Sequence, residues 1–291
     1  HELWRWTFPV NKLNQQTEQL SPLSSRPTYT ETENDLTVKA NKRTFIFSKK
    51  DGQLKGVSVD NRKINFANGP RFIGARRADR SLDQFYNHDD EKAKEKDRTY
   101  SEFPDAAVFT KLDVKEDGGD LVVTANYKLG NLDKAQWTIN PSGELALDYT
   151  YNFSGVVDLM GIRFDYPEDQ VISKRWLGAG PYRVWQNRIH GTQYDVWEND
   201  YNDPIPGETF TYPEFKGYFG DVSWMNIQTK EGTISLTNET PDAYIGVYQP
   251  RDGRDRLLYT LPESGISVLN VIPPVRNKVN STDLCGPSSQ P

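Results

Sequence analysis

Short runs in which apolar and polar residues alternate constrain the fold of this chain more than any other feature. In "DLVVTANYKLG" (120–130), one face of an extended chain carries Leu121, Val123, Ala125, Tyr127 and Leu129. "ELALDYTYNF" (144–153) repeats the alternation, and similar runs are "VSWMNIQT", "TISLTN", "AYIGVYQ", "LLYTL" and "ISVLNVI". A period of two is typical of half-buried β strands, so the sequence predicts many short strands.

Turn signals separate these runs, and helical patterns are scarce. Turns are predicted at Asp51-Gly52, Asp60, Gly118, Gly130 and Pro141. "DDEKAKEKDR" (89–98) has a helix-favouring composition but no apolar face, which favours a solvated loop or a short surface helix. We therefore expect an all-β protein built as an antiparallel sandwich.

The composition changes along the chain and predicts three regions. Residues 1–34 are rich in Ser, Thr, Pro, Gln and Glu and are interpreted as a linker or an arm that packs on the main body. Residues 35–275 are predicted to form one large β domain, with the charged stretch 76–104 as an excursion from it. Residues 276–291 are predicted to be a loose C-terminal tail. Because the chain opens with His1 rather than Met, we expect it to be a piece of a longer protein.

Charge and motif content argue against several functional classes. The formal net charge is −6 and no basic stripe is present, which argues against nucleic acid as a partner. No apolar run approaches the length of a membrane span. A phosphate-binding loop, a nucleophile elbow and a metal-binding motif are absent from the sequence, so neither a cofactor nor a metal is predicted. His88, beside Asp89 and Asp90, is interpreted as part of a solvated acidic loop.

Aromatic and polar residues crowd into the segment 178–201, which makes it the candidate carbohydrate-binding region. Rings of Trp185 and Trp197 could stack on the C–H faces of a sugar. Its hydroxyls could be bound by the polar side chains of Arg183, Asn187, Arg188, His190 and Glu198. The alternative is that the tryptophans are core residues, because aromatic side chains supply much of the buried area of β proteins. The core is favoured for Trp176 and Trp224, which lie in alternating runs, whereas for Trp185 both readings stay open.

Carboxylates downstream of Asp195 are the remaining route to catalysis. A glycosidase needs two carboxyl groups about 5–10 Å apart. The acids available in this region are Glu198, Asp200, Asp203, Glu208 and Glu214. Glu214 is the first to test, because it lies between a turn and a strand, where β scaffolds often carry function. Acids on β loops also commonly face water alone.

Two stretches of the sequence resemble the C-terminal domain of family 2 β-galactosidases, which is itself similar to galactose mutarotase. "RWLGAGPYRVWQNRIHGTQYDVW" is similar to that domain's Trp-Gly-x-Gly-Pro segment, with matches at Trp176, Gly178, Gly180, Pro181, Arg188 and Gly191. "FSKKDGQLKGVSVDNRKINFANGPRF" is similar to its opening, with matches at Gly52, Gly69, Pro70 and Arg71. The resemblance covers about residues 40–275. It implies an antiparallel β-supersandwich and a bacterial source.

The sequence departs from the family where specificity would be set. Arg183 and Asn187 stand where the family has acids, and "FIGARRADRSLD" (72–83) keeps only part of a conserved loop. The ligand therefore need not be galactose.

The resemblance also implies a role. In family 2 enzymes the catalytic glutamates lie in a separate (β/α)₈ barrel, which this strand-rich sequence does not encode. The expected role is that of an accessory domain that packs on such a barrel and contributes carbohydrate contacts, in a periplasmic or extracellular enzyme. Two alternatives stay open: a stand-alone epimerase or polysaccharide lyase using His190 and Glu214, and a carbohydrate-binding module.

Overall fold

The computed structural model describes residues 25–77, 100–201, 217–240, 242–248, 262 and 264–274. Apart from one 3-10 turn at Glu168–Gln170, the regular elements in these residues are all β strands. In chain order they are β1 Thr28–Glu31, β2 Asp35–Ala40, β3 Arg43–Ser48, β4 Leu54–Val59, β5 Arg62–Ile64, β6 Ala67–Arg77, β7 Tyr100–Glu102, β8 Val108–Asp117, β9 Asp120–Lys128, β10 Leu132–Ile139, β11 Leu145–Tyr151, β12 Leu159–Asp165, β13 Val171–Gly180, β14 Gln193–Asp200, β15 Trp224–Thr229, β16 Gly232–Thr237, β17 Tyr244–Val247 and β18 Ile266–Val271.

The strands form one large sheet and two smaller ones. The large sheet has ten strands in the order β1-β2-β3-β4-β6-β12-β18-β17, with β5 paired to β4 and β7 paired to β6. The first cover sheet has the order β11-β10-β9-β8, and the second cover sheet has the order β14-β13-β15-β16. The strand pairs within all three sheets are antiparallel. The expected all-β antiparallel sandwich is thus confirmed.

Both cover sheets pack on the same face of the large sheet. Ile162 of β12 lies directly opposite Val268 of β18, which lies opposite Ile245 of β17, and opposed residues share a face. Ile162 belongs to the core beneath the first cover sheet, Ile245 belongs to the core beneath the second, and Val268 contacts both cores. The large sheet therefore supports one continuous buried layer beneath the two cover sheets.

The first core is built by the alternation seen in the sequence. Leu121, Val123 and Ala125 of β9 are fully buried, and Trp137 of β10 lies opposite Val123. Predicted burial fails for Leu129, whose side chain is 74% exposed and whose backbone has φ +59°. The strand ends at Lys128, and Leu129 belongs to the turn that follows, so the face pattern of the strand no longer applies to it.

A third apolar cluster lies on the other side of the large sheet, which we call the far face. Ile73 of β6 and Leu269 of β18 are both Cα partners of Gly161 of β12, and their side chains point away from the two cover sheets. They pack with Leu159 and with residues from the segment after β13. This arrangement brings that segment, which holds most of the candidate site residues, onto the far face.

Several predicted regions lie partly or wholly outside the described residues. These are the charged stretch 89–98, the run "LLYTL", most of the predicted N-terminal arm and the predicted C-terminal tail. The last part of the predicted arm contains β1, which pairs with β2 at the edge of the large sheet. The domain boundaries otherwise stay predictions. In the part of the chain that the structure describes, no helix has the length and hydropathy of a membrane span.

Candidate functional site

After β13 the chain passes the Gly180-Pro181 step, and two bridges then link Val184, through Tyr218 and Phe219, to the edge of β17. Phe219 and Ile245 exchange backbone hydrogen bonds of 2.9 Å in both directions, and Val184 and Tyr218 exchange bonds of 2.7 Å. Gly217 is required beside this bridge, because a Cβ there would lie 1.8 Å from the carbonyl oxygen of Val184. The two bridges fix the position of the turn that follows.

Residues 185–188 form a tight turn, which we call the Trp turn. The amide of Arg188 donates to the carbonyl of Trp185 at 2.9 Å, and the amide of Trp185 donates back at 3.3 Å. Gln186 and Asn187 form its tip, and the Gln186 amide donates to the carbonyl of Pro273 at 3.1 Å. The Trp turn is therefore tied to the chain just after β18.

Trp185 is a buried residue in this conformation. Its side chain is 6% exposed, and its ring meets Tyr218 edge-on with 5.8 Å between centroids. Both rings belong to the far-face cluster. Trp185 thus covers apolar surface of the large sheet and offers little of its own ring to solvent.

Arg183 lies on the opposite side of the Val184 bridge from the far-face cluster. It is 3% exposed, and its guanidinium carbon is 5.9 Å from the centroid of Phe219, which belongs to the core beneath the second cover sheet. Burial raises the pKa of the Tyr218 hydroxyl strongly, and the charge of Arg183 lowers it. Arg183 is therefore a buried charge that contacts the second core and influences the Tyr218 hydroxyl.

The remaining predicted site residues fall into different environments. Asn187 and Arg188 are half-buried in the Trp turn, and His190 is exposed just beyond it, where its carbonyl accepts a hydrogen bond from the Tyr182 hydroxyl at 3.0 Å. Trp197 and Glu198 are neighbours on β14, so their side chains point to opposite faces of the second cover sheet. Glu214 lies outside the described residues, as do Asp203 and Glu208.

Trp197 has a packing role at the start of the segment. It belongs to the periphery of the second core, and its indole Nε1 donates to the Gln193 carbonyl at 3.1 Å. A Cβ on Gly180 would lie 2.4 Å from the Trp197 ring. The last glycine before Pro181 is therefore needed because the indole of Trp197 occupies the space above it.

Trp176 and Trp224 have different outcomes. Trp176 is fully buried and its indole donates to the Ala179 carbonyl at 3.0 Å, which confirms the predicted core position. The prediction for Trp224 was wrong: it lies opposite Leu177, on the outer face of the second cover sheet, and is half-buried. Its neighbour Met225 takes the core position, because successive strand residues point to opposite faces.

A polar row on the far face went unrecognised in the sequence. Arg71 of β6 lies directly opposite Arg163 of β12, which lies opposite Ser267 of β18, which lies opposite Gly246 of β17. Arg71 is ion-paired with Asp165. Only the pairing of β12 with both β6 and β18 brings these residues together, and no local sequence signal encodes it. Among the described residues, no group of three or more His, Cys, Asp or Glu side chains is placed to hold a metal ion.

The architecture and the Trp turn together define a class of protein. The class is an all-β sandwich in which two four-stranded sheets cover one long antiparallel sheet and a Gly-Pro step leads a Trp-bearing turn onto the far face. A family model described as the β-galactosidase small chain matches residues 39–269. The chain belongs to the β-galactosidase small chain family, and its domain is associated with glycoside hydrolases. A search of curated proteins returned no match.

Proposed function

We propose that this chain is an accessory domain of a family 2-type glycoside hydrolase, and that it packs on a separate catalytic barrel and contributes carbohydrate contacts. The family description, a small chain of β-galactosidase, supports a role beside a larger catalytic part. A periplasmic or extracellular location is part of this proposal.

The observation that carries the proposal is the difference between the outer faces of the two cover sheets. On the first, an open groove is lined by polar and charged residues, with Lys111–Asp113 and Lys115–Asp117 ion pairs at 2.7 and 3.1 Å. On the second, Leu177, Val196 and Trp224 are neighbours across three strands, and Val196 is 41% exposed. An apolar patch on a sheet face is typical of a surface that packs on another domain.

We place the carbohydrate contacts of this domain at the Trp turn. Asn187 and Arg188 in the turn, and His190 just beyond it, supply polar groups that are at least partly accessible. Trp185 supports the turn from beneath through its contact with Tyr218. In this proposal the turn forms one wall of a sugar site whose catalytic acids come from the barrel.

An association experiment tests the proposal. The full chain is mixed with the catalytic barrel of a family 2 glycoside hydrolase from the same source, and the complex is measured by size-exclusion chromatography with light scattering. Val196→Lys places a charge in the apolar patch and is expected to weaken association by about tenfold or more. Thr124→Lys, on the groove of the first cover sheet, is the matched control and is expected to associate like the wild type.

Activity of the isolated chain provides the second readout. The isolated chain is expected to leave aryl β-galactosides intact, because the proposal assigns the catalytic acids to the barrel. Hydrolysis by the isolated chain at rates typical of enzymes would contradict the accessory role, as would equal association of the Val196 and Thr124 variants.

A further inference from the structure

Two arginines stand side by side on the far face of the large sheet. Arg71 and Arg163 are directly opposed residues of β6 and β12, so their side chains leave the same face. Opposed residues in antiparallel strands have Cβ atoms about 4.5–5.5 Å apart. The two cationic side chains therefore start side by side on one face of the sheet.

Carboxylates lie near both arginines, and one of them holds Arg71 in place. Asp165 binds Nη2 of Arg71 with one carboxylate oxygen, and its other oxygen accepts from the Asn68 amide at 3.0 Å. The charges of Arg71 and Arg163 also lower the pKa of Asp105, although burial outweighs them and raises it overall. The guanidinium groups are therefore part of an organised network.

The Arg71 fork remains partly accessible. Its side chain is 27% exposed, and the described contact with Asp165 uses Nη2, which leaves Nη1 on the other arm. A planar guanidinium offers donors in a geometry that matches carboxylate and sulfate oxygens. Two such groups side by side form a better cradle for an anion than for a neutral hydroxyl.

The arginine pair is in line with the Trp turn. The row continues from Arg163 through Ser267 to Gly246, and Tyr218 lies 3.5 Å from the point where a Cβ of Gly246 would stand. Tyr218 in turn contacts Trp185. The pair thus lies about four to five strand spacings, roughly 19–24 Å, from the turn to which we assign sugar contacts.

We infer that Arg71 and Arg163 form a subsite for the anionic substituent of a sugar, a uronate carboxylate or a sulfate ester, on the far face of the large sheet. The inference rests on the proposed function, because it takes the far face to be reached by a saccharide. Selection for an acidic sugar then comes from this domain.

Calorimetric titration of the full 291-residue chain tests the inference. The probes are galactotriose, trigalacturonate and a sulfated galactotriose, which separate neutral, carboxylate and sulfate recognition. We expect at least one acidic probe to bind about tenfold or more tightly than galactotriose, with an advantage that falls as salt is added.

Variants locate the subsite. Arg71→Gln and Arg163→Gln are each expected to remove most of the preference for the acidic probe. Arg175→Gln, which changes an exposed arginine on the outer face of the second cover sheet, is the matched control and is expected to keep it. Arg71→Lys retains the charge but loses the fork, so an intermediate preference is expected. This variant also keeps a cation beside Asp165 if Arg71→Gln does not fold.

Three outcomes of these measurements would overturn the inference. Equal binding of neutral and acidic probes, no binding of either acidic probe by the folded chain, or an unchanged preference after both arginine substitutions would each contradict it. Failure here is separable from failure of the accessory role, which is measured by association at Val196. If the chain associates with the barrel but does not prefer an acidic probe, only the present inference is overturned. If the chain prefers an acidic probe but does not associate with the barrel, only the accessory role is overturned.

Discussion

At the scale of single residues, two tryptophans show what an alternating pattern can and cannot predict about burial. Trp224 has the alternating context of a core residue but faces outward, and Trp185 follows a turn that gives no alternation but is buried. Alternation defines two faces of a strand and does not say which one is covered. Burial of Trp185 depends on Tyr218, which lies more than thirty positions away in the chain.

This difference predicts unequal stability costs for the same substitution. Trp185→Ala is expected to lower the free energy of unfolding by about 3–5 kcal/mol, because it removes a large buried ring and leaves a cavity. Trp224→Ala is expected to cost about 1–2 kcal/mol, because its ring is only half-buried. Urea unfolding followed by circular dichroism measures both variants. A larger loss for Trp224→Ala would show that the outer face is buried in the isolated chain.

At the scale of elements, the turn between β15 and β16 fastens the second cover sheet to the large sheet. Glu231 in this turn accepts hydrogen bonds from the Asn65 amide nitrogen at 2.5 Å and from the Tyr166 hydroxyl at 2.8 Å. It also accepts from the Asn65 backbone at 3.2 Å. One side chain therefore joins the turn to two places on the large sheet.

Removing this side chain is expected to loosen the second cover sheet. Glu231→Ala should lower the free energy of unfolding by about 1–3 kcal/mol, because the hydrogen bonds involve a charged acceptor and the partly buried Tyr166 hydroxyl loses one of its partners. Glu116→Ala, at an exposed position of β8, is the control and is expected to change stability by less than about 0.5 kcal/mol. Hydrogen exchange of β15 and β16 should accelerate in the Glu231 variant alone. Equal protection in both variants would contradict the fastening role.

At the scale of the whole molecule, the sequence predicted the class of fold and some of the strands, but not their arrangement. Alternation in β9 and β11 is a local signal, so these two strands of the first cover sheet could be recognised. The pairing of β12 with β6 and β18 joins residues about ninety to a hundred positions apart, as in Arg163 with Arg71 and Ser267. No local pattern specifies such a pairing, which is why the arginine pair escaped notice while the Trp turn did not.

The three-sheet architecture also buries tyrosine hydroxyls. This burial predicts how the free energy of unfolding changes at alkaline pH. Burial raises the pKa of Tyr149, Tyr151 and Tyr166 from an ordinary value of 10.0 to about 12. Between these values the unfolded chain releases protons that the native chain retains. The contribution of these protonated tyrosines to the free energy of unfolding is therefore fully present below about pH 10, and it is lost as the pH rises through about 12.

Urea unfolding at a series of alkaline pH values measures this loss, and phenolate absorbance of the native chain should show a late group of tyrosines. Tyr149→Phe is the sharpest variant, because the Tyr149 hydroxyl is buried and has no hydrogen-bond partner among the residues that the structure describes. At neutral pH this variant should be as stable as the wild type or slightly more so, because no hydrogen bond is lost. Its stability should also fall less steeply above pH 10. If the wild-type free energy of unfolding stayed constant from about pH 10 to pH 12, these three tyrosines would have to titrate like those of the unfolded chain.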